Sequence, residues 1–275
     1  MRLSASTRVA GVAGLPIGHS LSPTLHNAWI EAAGLDAVYV AFEPKDFRVF
    51  AAGCRGGVIR GLNVTAPFKG QALELADDVS PQSARAEAAN ILIFESGGEI
   101  RADNTDGEGL LAALAEQAGG FDPAVGPAVI LGAGGAARGA AAALMDAGTP
   151  RVCVVNRSAE RARALANSLS GPLEILEMDA LPEVLAGANV VINATSADPK
   201  IPFEFAADST VVMDMVYLPL TTPFLARAKA RGLRTVDGLA MLIGQARPSF
   251  EALFGVAAPD VDVRSLAVEV LEGRR

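Results

Sequence analysis

Residues 128–137 read Ala-Val-Ile-Leu-Gly-Ala-Gly-Gly-Ala-Ala. Four apolar residues make a short buried strand, a glycine-rich turn follows, and alanine-rich chain to Ala147 makes a long helix. Gly132, Ala133, Gly134, Gly135, Ala136 and Ala137 match G-x-G-x-x-[GA] between a strand and a helix, the context that gives the pattern meaning. Gly132 permits the tight turn, Gly134 lets a pyrophosphate approach the backbone, and Ala137 lets helix and strand pack closely. The helix start offers unpaired N–H groups and a positive dipole end to phosphate. Close packing alone could also demand such a turn, so the next strand end matters. Arg151–Val155 reads as that strand, and it ends at Asn156-Arg157-Ser158, with Arg161 just beyond. NAD sites carry an acid about 20 residues after the turn to hold the ribose 2′-hydroxyl. A guanidinium there pairs instead with a 2′-phosphate. The region reads as a Rossmann dinucleotide-binding domain that favours NADP over NAD.

The same alternation extends in both directions. Upstream, Arg8–Gly14, Val38–Phe42, Val58–Val64 and Ile91–Phe94 read as strands, the last running into a Gly97-Gly98 hairpin turn. Ser22-Pro23 reads as N-cap and first helical residue of a helix closed by Gly34. Phe47–Ala52 and Ser80–Ala89 also read as helical. Downstream, Leu110–Gln117, Ala159–Leu169 and Thr222–Arg231 are helical, and Val190–Asn193, Val211–Met215 and Arg234–Val236 are strands. From Leu239 the pattern is helical to the end, and this tail is expected to pack on the first domain. The fold class is α/β with two domains. An N-terminal domain of residues 1–105 and 240–275 has a mostly parallel sheet, and residues 106–239 form the Rossmann domain.

Bulk properties narrow the partners. The chain has 275 residues and a formal charge of −8, which disfavours nucleic acid and anionic membrane surfaces as partners. No run of about eighteen apolar residues suggests a membrane span, and the short, glycine-rich N-terminus broken by Pro16 fits a signal peptide poorly. Cys54 and Cys153 lie far apart, without metal-ligand spacing, and read as reduced thiols in the cytoplasm. No metal is expected. A small-molecule ligand is expected, on a monomer or homodimer.

Three polar segments in the first block stand out: Gly18-His19-Ser20-Leu21-Ser22-Pro23, Asn63-Val64-Thr65-Ala66-Pro67-Phe68-Lys69 and Asp103-Asn104-Thr105-Asp106-Gly107. Taken singly, Ser22 reads as a cap, Lys69 as a surface lysine and Asp106 as a helix cap. In order along the chain, PIGHSLSP, NVTAPFK, ADNTDG, GAGGAARG, NRSAER, INATS, DMVYLPLTTPFL and DGLAMLIGQ resemble the shikimate dehydrogenase family over nearly the whole length.

That resemblance implies an N-terminal substrate domain, an NADP-binding Rossmann domain and reversible reduction of 3-dehydroshikimate to shikimate. It implies that Ser20 and Ser22 hold the substrate carboxylate, with Tyr217 nearby, and that Asn63, Thr65, Asn90, Thr105 and Gln245 hold the ring. Lys69 and Asp106 would be the catalytic pair. Thr195, Met215 and Gly238 would join the glycine turn, Asn156, Arg157, Ser158 and Arg161 around the cofactor. His19 and His26 read as structural. Three positions depart from the family: Ile91 after Asn90, expected to alter the hydrogen bonding there; Ala197-Asp198-Pro199 in a loop bordering the cofactor; and Pro248, expected to kink or break the helix carrying Gln245. A quinate-oxidising paralogue and a non-catalytic NADP-binding protein remain as other readings.

Overall fold

The computed structural model describes residues 3–57 and 59–273. It divides into two compact units, Met1–Thr105 with Gln245–Arg275, and Asp106–Gly244. In the first, β1 (Arg8–Ala13), α1 (Ser22–Ala32), β2 (Ala37–Phe42), α2 (Phe47–Gly53), β3 (Gly61–Val64), α3 (Lys69–Leu75), β4 (Asp78–Val79), α4 (Pro81–Ala86), β5 (Ile91–Phe94) and β6 (Ile100–Asp103) follow in order. The second contains α5 (Asp106–Gln117), β7 (Ala128–Leu131), α6 (Gly135–Asp146), β8 (Val152–Val155), α7 (Ala159–Ser168), β9 (Leu173–Leu176), α8 (Leu181–Leu185), β10 (Val190–Asn193), β11 (Val211–Asp214), α9 (Pro223–Ala230) and β12 (Arg234–Val236). Last come α10 (Gly238–Phe254) and α11 (Val263–Glu272).

The second unit's sheet runs β12-β11-β10-β7-β8-β9 with every pairing parallel. This is the doubly wound order, and its switch point lies between β7 and β10. Strand residues divide between two cores, as the two-residue period requires. Ile130, Val154, Ile192 and Met213 face one, and Val129, Cys153, Val191 and Val212 the other. Both faces are apolar, so these strands read as continuous hydrophobic runs.

The first unit's sheet is ordered β2-β1-β3-β5-β6-β4. β1 pairs in parallel with β2 and β3, and β4 with β6, but β5 runs against both neighbours. The reversal follows from the tight turn at Gly97-Gly98, too short for a crossover back to a parallel strand. Gly61 must be glycine here, because a Cβ would lie 2.5 Å from the Leu92 carbonyl oxygen.

Some sequence expectations differ from the structure. The strand expected over 58–64 begins at Gly61, and Val58 lies outside the described residues. The helical tail is two helices, because Gly255 adopts φ +75° and ends α10; residues 274 and 275 lie outside the described residues. Pro248 sits inside α10, which is not broken. A proline there forfeits about 3 kcal/mol, but Ala246, Ser249, Phe250 and Leu253 are all fully buried around it, and that packing outweighs the lost backbone bond. α3, β9 and α8 are further elements beyond those read from the sequence.

Within α10, the division between units falls after Gly244 and not after residue 239. Ala240 and Met241 pack into the second unit's core, and a Cβ at Gly244 would lie 2.9 Å from the Gly109 carbonyl oxygen. The remainder of the helix belongs to the first unit. There Phe250 meets Trp29 of α1 edge-on at 5.6 Å, and the Arg60 guanidinium donates to the Leu253 carbonyl. Burying Leu25, Trp29 and Ile30 on the same face of α1 contributes about 1.5–3 kcal/mol per side chain.

His26 shares that core. Its ring stacks on Tyr39 at 4.0 Å, nearly parallel, and burial lowers its pKa to about 3. The folded state therefore keeps His26 neutral where the unfolded chain protonates it. With more protons bound when unfolded, stability falls as the pH drops from about 6.5 towards about 3, by about 1.4 kcal/mol per unit. His26→Phe should flatten the urea-unfolding free energy against pH across that window relative to wild type. Equal slopes in both proteins would refute a buried neutral imidazole.

Candidate functional site

The strand pairing of the first unit gathers the polar segments at one sheet end. Ala13 pairs with Val64, so the segments from Gly14 and from Thr65 leave from the same end. Because β5 is reversed, its first residue Ile91 pairs with both Asn63 and Asp103. Asn90, just before it, therefore sits beside the outgoing ends of β3 and β6. Thr65 is fixed by its N–H, which donates to the Ala13 carbonyl at 2.9 Å, and Gly14 leaves room for it: a Cβ there would lie 2.5 Å from Thr65 Cγ2.

Four of the predicted residues meet directly. Asn63 Nδ2 donates to the Asn90 carbonyl at 3.2 Å and to Ser249 Oγ. The Thr105 N–H donates to Asn90 Oδ1 at 2.9 Å. Asn90 Nδ2 donates to Thr105 Oγ1 at 3.1 Å and to Gln245 Oε1 at 3.2 Å. Thr105 Oγ1 closes the circuit by donating to the Gln245 carbonyl at 3.0 Å. Asn63, Asn90 and Thr105 are buried. Ile91, where the family pattern has a hydroxyl, is fully buried in β5, and the Asn90 side chain has its partners without one.

At α1 the capping differs from the sequence reading. Ser22 is the first helical residue, Leu21 is the cap position, and no side chain caps it. Ser20 Oγ takes the nearest equivalent role, accepting from the Ser22 N–H at 3.2 Å. The Ser22 hydroxyl is turned inward to Tyr39, because the tyrosine hydroxyl is buried and needs partners. Lys69 opens α3, half-buried, and its carbonyl accepts from the Ala89 N–H at 3.0 Å.

Asp106 and Tyr217 belong to the second unit. Asp106 is the first residue of α5, where the helix dipole favours a carboxylate. Its helix is pressed on α6, since a Cβ at Gly107 would lie 2.8 Å from the Ala143 Cβ. The glycine turn lies at the switch point: Gly132 has φ +115°, and a Cβ on it would lie 2.8 Å from Thr195 Cγ2. Gly134 caps α6 with no side-chain hydrogen bond, and Gly134, Gly135 and Ala136 are exposed while Ala137 is buried against the sheet. A Cβ on Gly238 would lie 2.5 Å from the Met215 carbonyl oxygen, so those two predicted residues adjoin. Ser158 caps α7 from its hydroxyl, Asn156 Nδ2 donates to the Ser158 carbonyl, and Arg157 and Arg161 are exposed.

Comparison with known proteins matches this two-part arrangement. Residues 12–92 match the family model described as shikimate dehydrogenase substrate binding domain, and residues 114–210 match that of shikimate / quinate 5-dehydrogenase. The shikimate dehydrogenase (NADP(+)) of Caulobacter vibrioides is 54% identical over 272 residues, 96% of this chain and 95% of that protein. The chain belongs to the shikimate dehydrogenase family. Among solved members, the Thermus thermophilus shikimate 5-dehydrogenase in complex with NADP(H) and shikimate superposes with a TM-score of 0.85 at 35% identity, covering 96% of this chain and 99% of that one. Quinate dehydrogenase from Corynebacterium glutamicum in complex with NAD gives 0.86 at 27% identity, covering 97% and 99%.

The family's dinucleotide fits the second unit. Open space lies over Gly134 and Gly135, where a Cβ would meet nothing within 4 Å, and the first turn of α6 carries no side-chain cap that would occupy its N–H groups. Sequence reading missed the residues that hold this surface in shape. Asn193 Oδ1 accepts from the Thr195 N–H and hydroxyl, and its Nδ2 donates to Asp214 Oδ1 and the Ala197 carbonyl. Asp214 also accepts from the Thr222 hydroxyl at 2.6 Å and the Val216 N–H at 3.0 Å. Burial pushes its carboxyl pKa up, against these hydrogen bonds. An Asp closing an otherwise apolar strand, VVMD, was the available signal. Gly132→Ala should strain the turn and push on Thr195, weakening dinucleotide binding by about tenfold, as a strain of about 1–3 kcal/mol implies. Fluorescence titration with NADPH checks this, and an unchanged Kd in a folded variant would refute the close approach.

Proposed function

We propose that this chain is an NADP-dependent shikimate dehydrogenase, which reversibly reduces the ketone of 3-dehydroshikimate to the alcohol of shikimate. The carrying observation is the closed circuit of Asn63, Asn90, Thr105 and Gln245 in a chain related over almost its whole length to shikimate dehydrogenase (NADP(+)). The unit of Met1–Thr105 and Gln245–Arg275 serves the substrate, and Asp106–Gly244 the dinucleotide. The enzyme acts as a monomer or homodimer in the cytoplasm, a setting supported by two buried free thiols. No helix among the described residues is long and apolar enough to cross a membrane.

Ser20 and Ser22 bind the substrate carboxylate beside the N-terminus of α1, which favours anions, and Tyr217 is assigned to the same carboxylate. Asn63, Thr65, Asn90, Thr105 and Gln245 hold the ring hydroxyls. Gly132–Ala137, Thr195, Met215 and Gly238 shape the dinucleotide surface, and Asn156, Arg157, Ser158 and Arg161 receive the 2′-phosphate end. Bound NADPH supplies a hydride to the carbonyl carbon. Negative charge then grows on the carbonyl oxygen, and the ammonium of Lys69 stabilises it by hydrogen bonding through Nζ. We assign Asp106 to the same catalytic pair, and a proton from this pair completes the alcohol.

Coupled assays with shikimate or quinate, each with NADP⁺ or NAD⁺, test the assignment. NADPH formation with shikimate is expected. Preference for quinate or NAD⁺, or no turnover by folded protein, would overturn it. Lys69→Ala should lower kcat by about 10²–10⁴-fold and leave the NADPH Kd intact; near-wild-type turnover would remove Lys69 from the chemistry. Arg157→Ala should weaken NADPH by about 1.5–3 kcal/mol and spare NADH. Equal losses for both would argue against 2′-phosphate recognition.

A further inference from the structure

Asn63 accounts for its own hydrogen bonds with little left over. A side-chain amide has two N–H donors and an oxygen with two lone pairs. One N–H goes to the Asn90 carbonyl and the other to Ser249 Oγ. Oδ1 accepts from the Tyr39 hydroxyl at 2.7 Å. A carbonyl cannot donate, so the Asn90 carbonyl can face only the NH2 end. The amide flip is thereby settled, and Tyr39 must be the donor on the other side.

We propose that Tyr39 and Ser249 are positioning residues that lock the Asn63 amide so that it faces the ligand as a hydrogen-bond acceptor only, selecting a hydroxyl at that position of the ring. Both supports are built for the task. Ser249 is fully buried on α10, one turn beyond Gln245. Tyr39 is buried on β2, clamped by the stacked, neutral His26 ring. Burial raises the tyrosine pKa well above its usual value, so the hydroxyl keeps the proton it donates. The same hydroxyl also meets Ser22, which ties the carboxylate-binding end of the site to the ring-binding end through one side chain. With both N–H groups spent, the remaining capacity of Asn63 is one lone pair on Oδ1. A carbonyl or ether placed there would find no donor on Asn63.

This inference rests on the dehydrogenase reading, so the test separates the two. Tyr39→Phe and Ser249→Ala, each confirmed folded by circular dichroism, are assayed against wild type for shikimate oxidation with NADP⁺. Each should raise the KM for shikimate about 5–20-fold while the KM for NADP⁺ stays within about twofold. Because both act through Asn63, the double variant should fall short of the product of the single effects. A shikimate KM within about twofold of wild type in either folded variant would overturn the assignment and leave the activity reading intact. So would a rise in both KM values together, which marks general loosening. Should one variant fail to fold, the other decides alone. A wild-type protein that does not oxidise shikimate would overturn both.

Discussion

A buried side-chain amide admits one orientation once a carbonyl faces it, and both units are organised around such amides. Asn63 and Asn90 in the first unit, and Asn193 in the second, all sit where a strand meets the loop at one sheet end. Each is buried. Leaving any of their donors or acceptors without a partner would cost about 1–3 kcal/mol. The chain meets the demand by bringing other segments to the amides: Thr105 and the α10 residue Gln245 to Asn90, and Thr195 and Ala197 to Asn193. The loops at these sheet ends are thereby held by neutral side chains.

The second unit was largely legible because its signals are local. β7, the glycine turn and α6 fall within one short stretch, and β10 has the boundaries its apolar run suggested. The same applies to the end of β8, where the absence of an acid and the presence of Arg157 can be read without knowing the fold. α8, of five residues, and β9, with no residue fully buried, were missed: α8 is little more than one helical turn, and Glu174 interrupts the apolar run of β9. In the first unit the sheet order was not legible. Nothing in the run Ile91–Phe94 says that it inserts, reversed, between β3 and β6. That insertion brings Asn90 beside Asn63 and Thr105, so the residue types could be named from sequence while their meeting could not. Tyr39 shows the same limit. In sequence it is an ordinary strand aromatic; only the stack on His26 and the bond to Asn63 give it a role.

The departure at Ala197-Asp198-Pro199 has a structural account. Asp198 accepts from Arg227 of α9 at 2.6 and 3.1 Å and from Lys200. Arg227 also donates to the Pro199 carbonyl at 2.7 Å. The Arg227 contact, with Lys200 second, holds the Asp198 pKa down to about 2. These groups are partly exposed, so the ion pairs add little stability. Their effect is geometric, because the Ala197 carbonyl is also fixed by Asn193. The loop after β10 is thus tied at both its buried and its exposed side, and a glycine's freedom is not needed there.

Helix starts recur at several proposed functional positions. Ser22 opens α1, Lys69 opens α3, Asp106 opens α5 and Gly135 opens α6. For serine, aspartate and glycine this is the expected arrangement of an α/β chain. A strand leaves the sheet at its carboxyl end, the following helix begins there, and its first turn offers N–H groups and a positive field to anions. Lysine is the exception, since the same field opposes an ammonium at that position. A lysine at that position is not explained by the helix dipole. On the proposed mechanism the reason is the reaction itself: an oxygen that gains charge during reduction calls for a cation, which neutral amides do not supply. The side-chain amides of Asn63, Asn90 and Gln245 carry no charge. On that proposal recognition comes from buried neutral groups, and charge from a lysine placed where the helix dipole disfavours it.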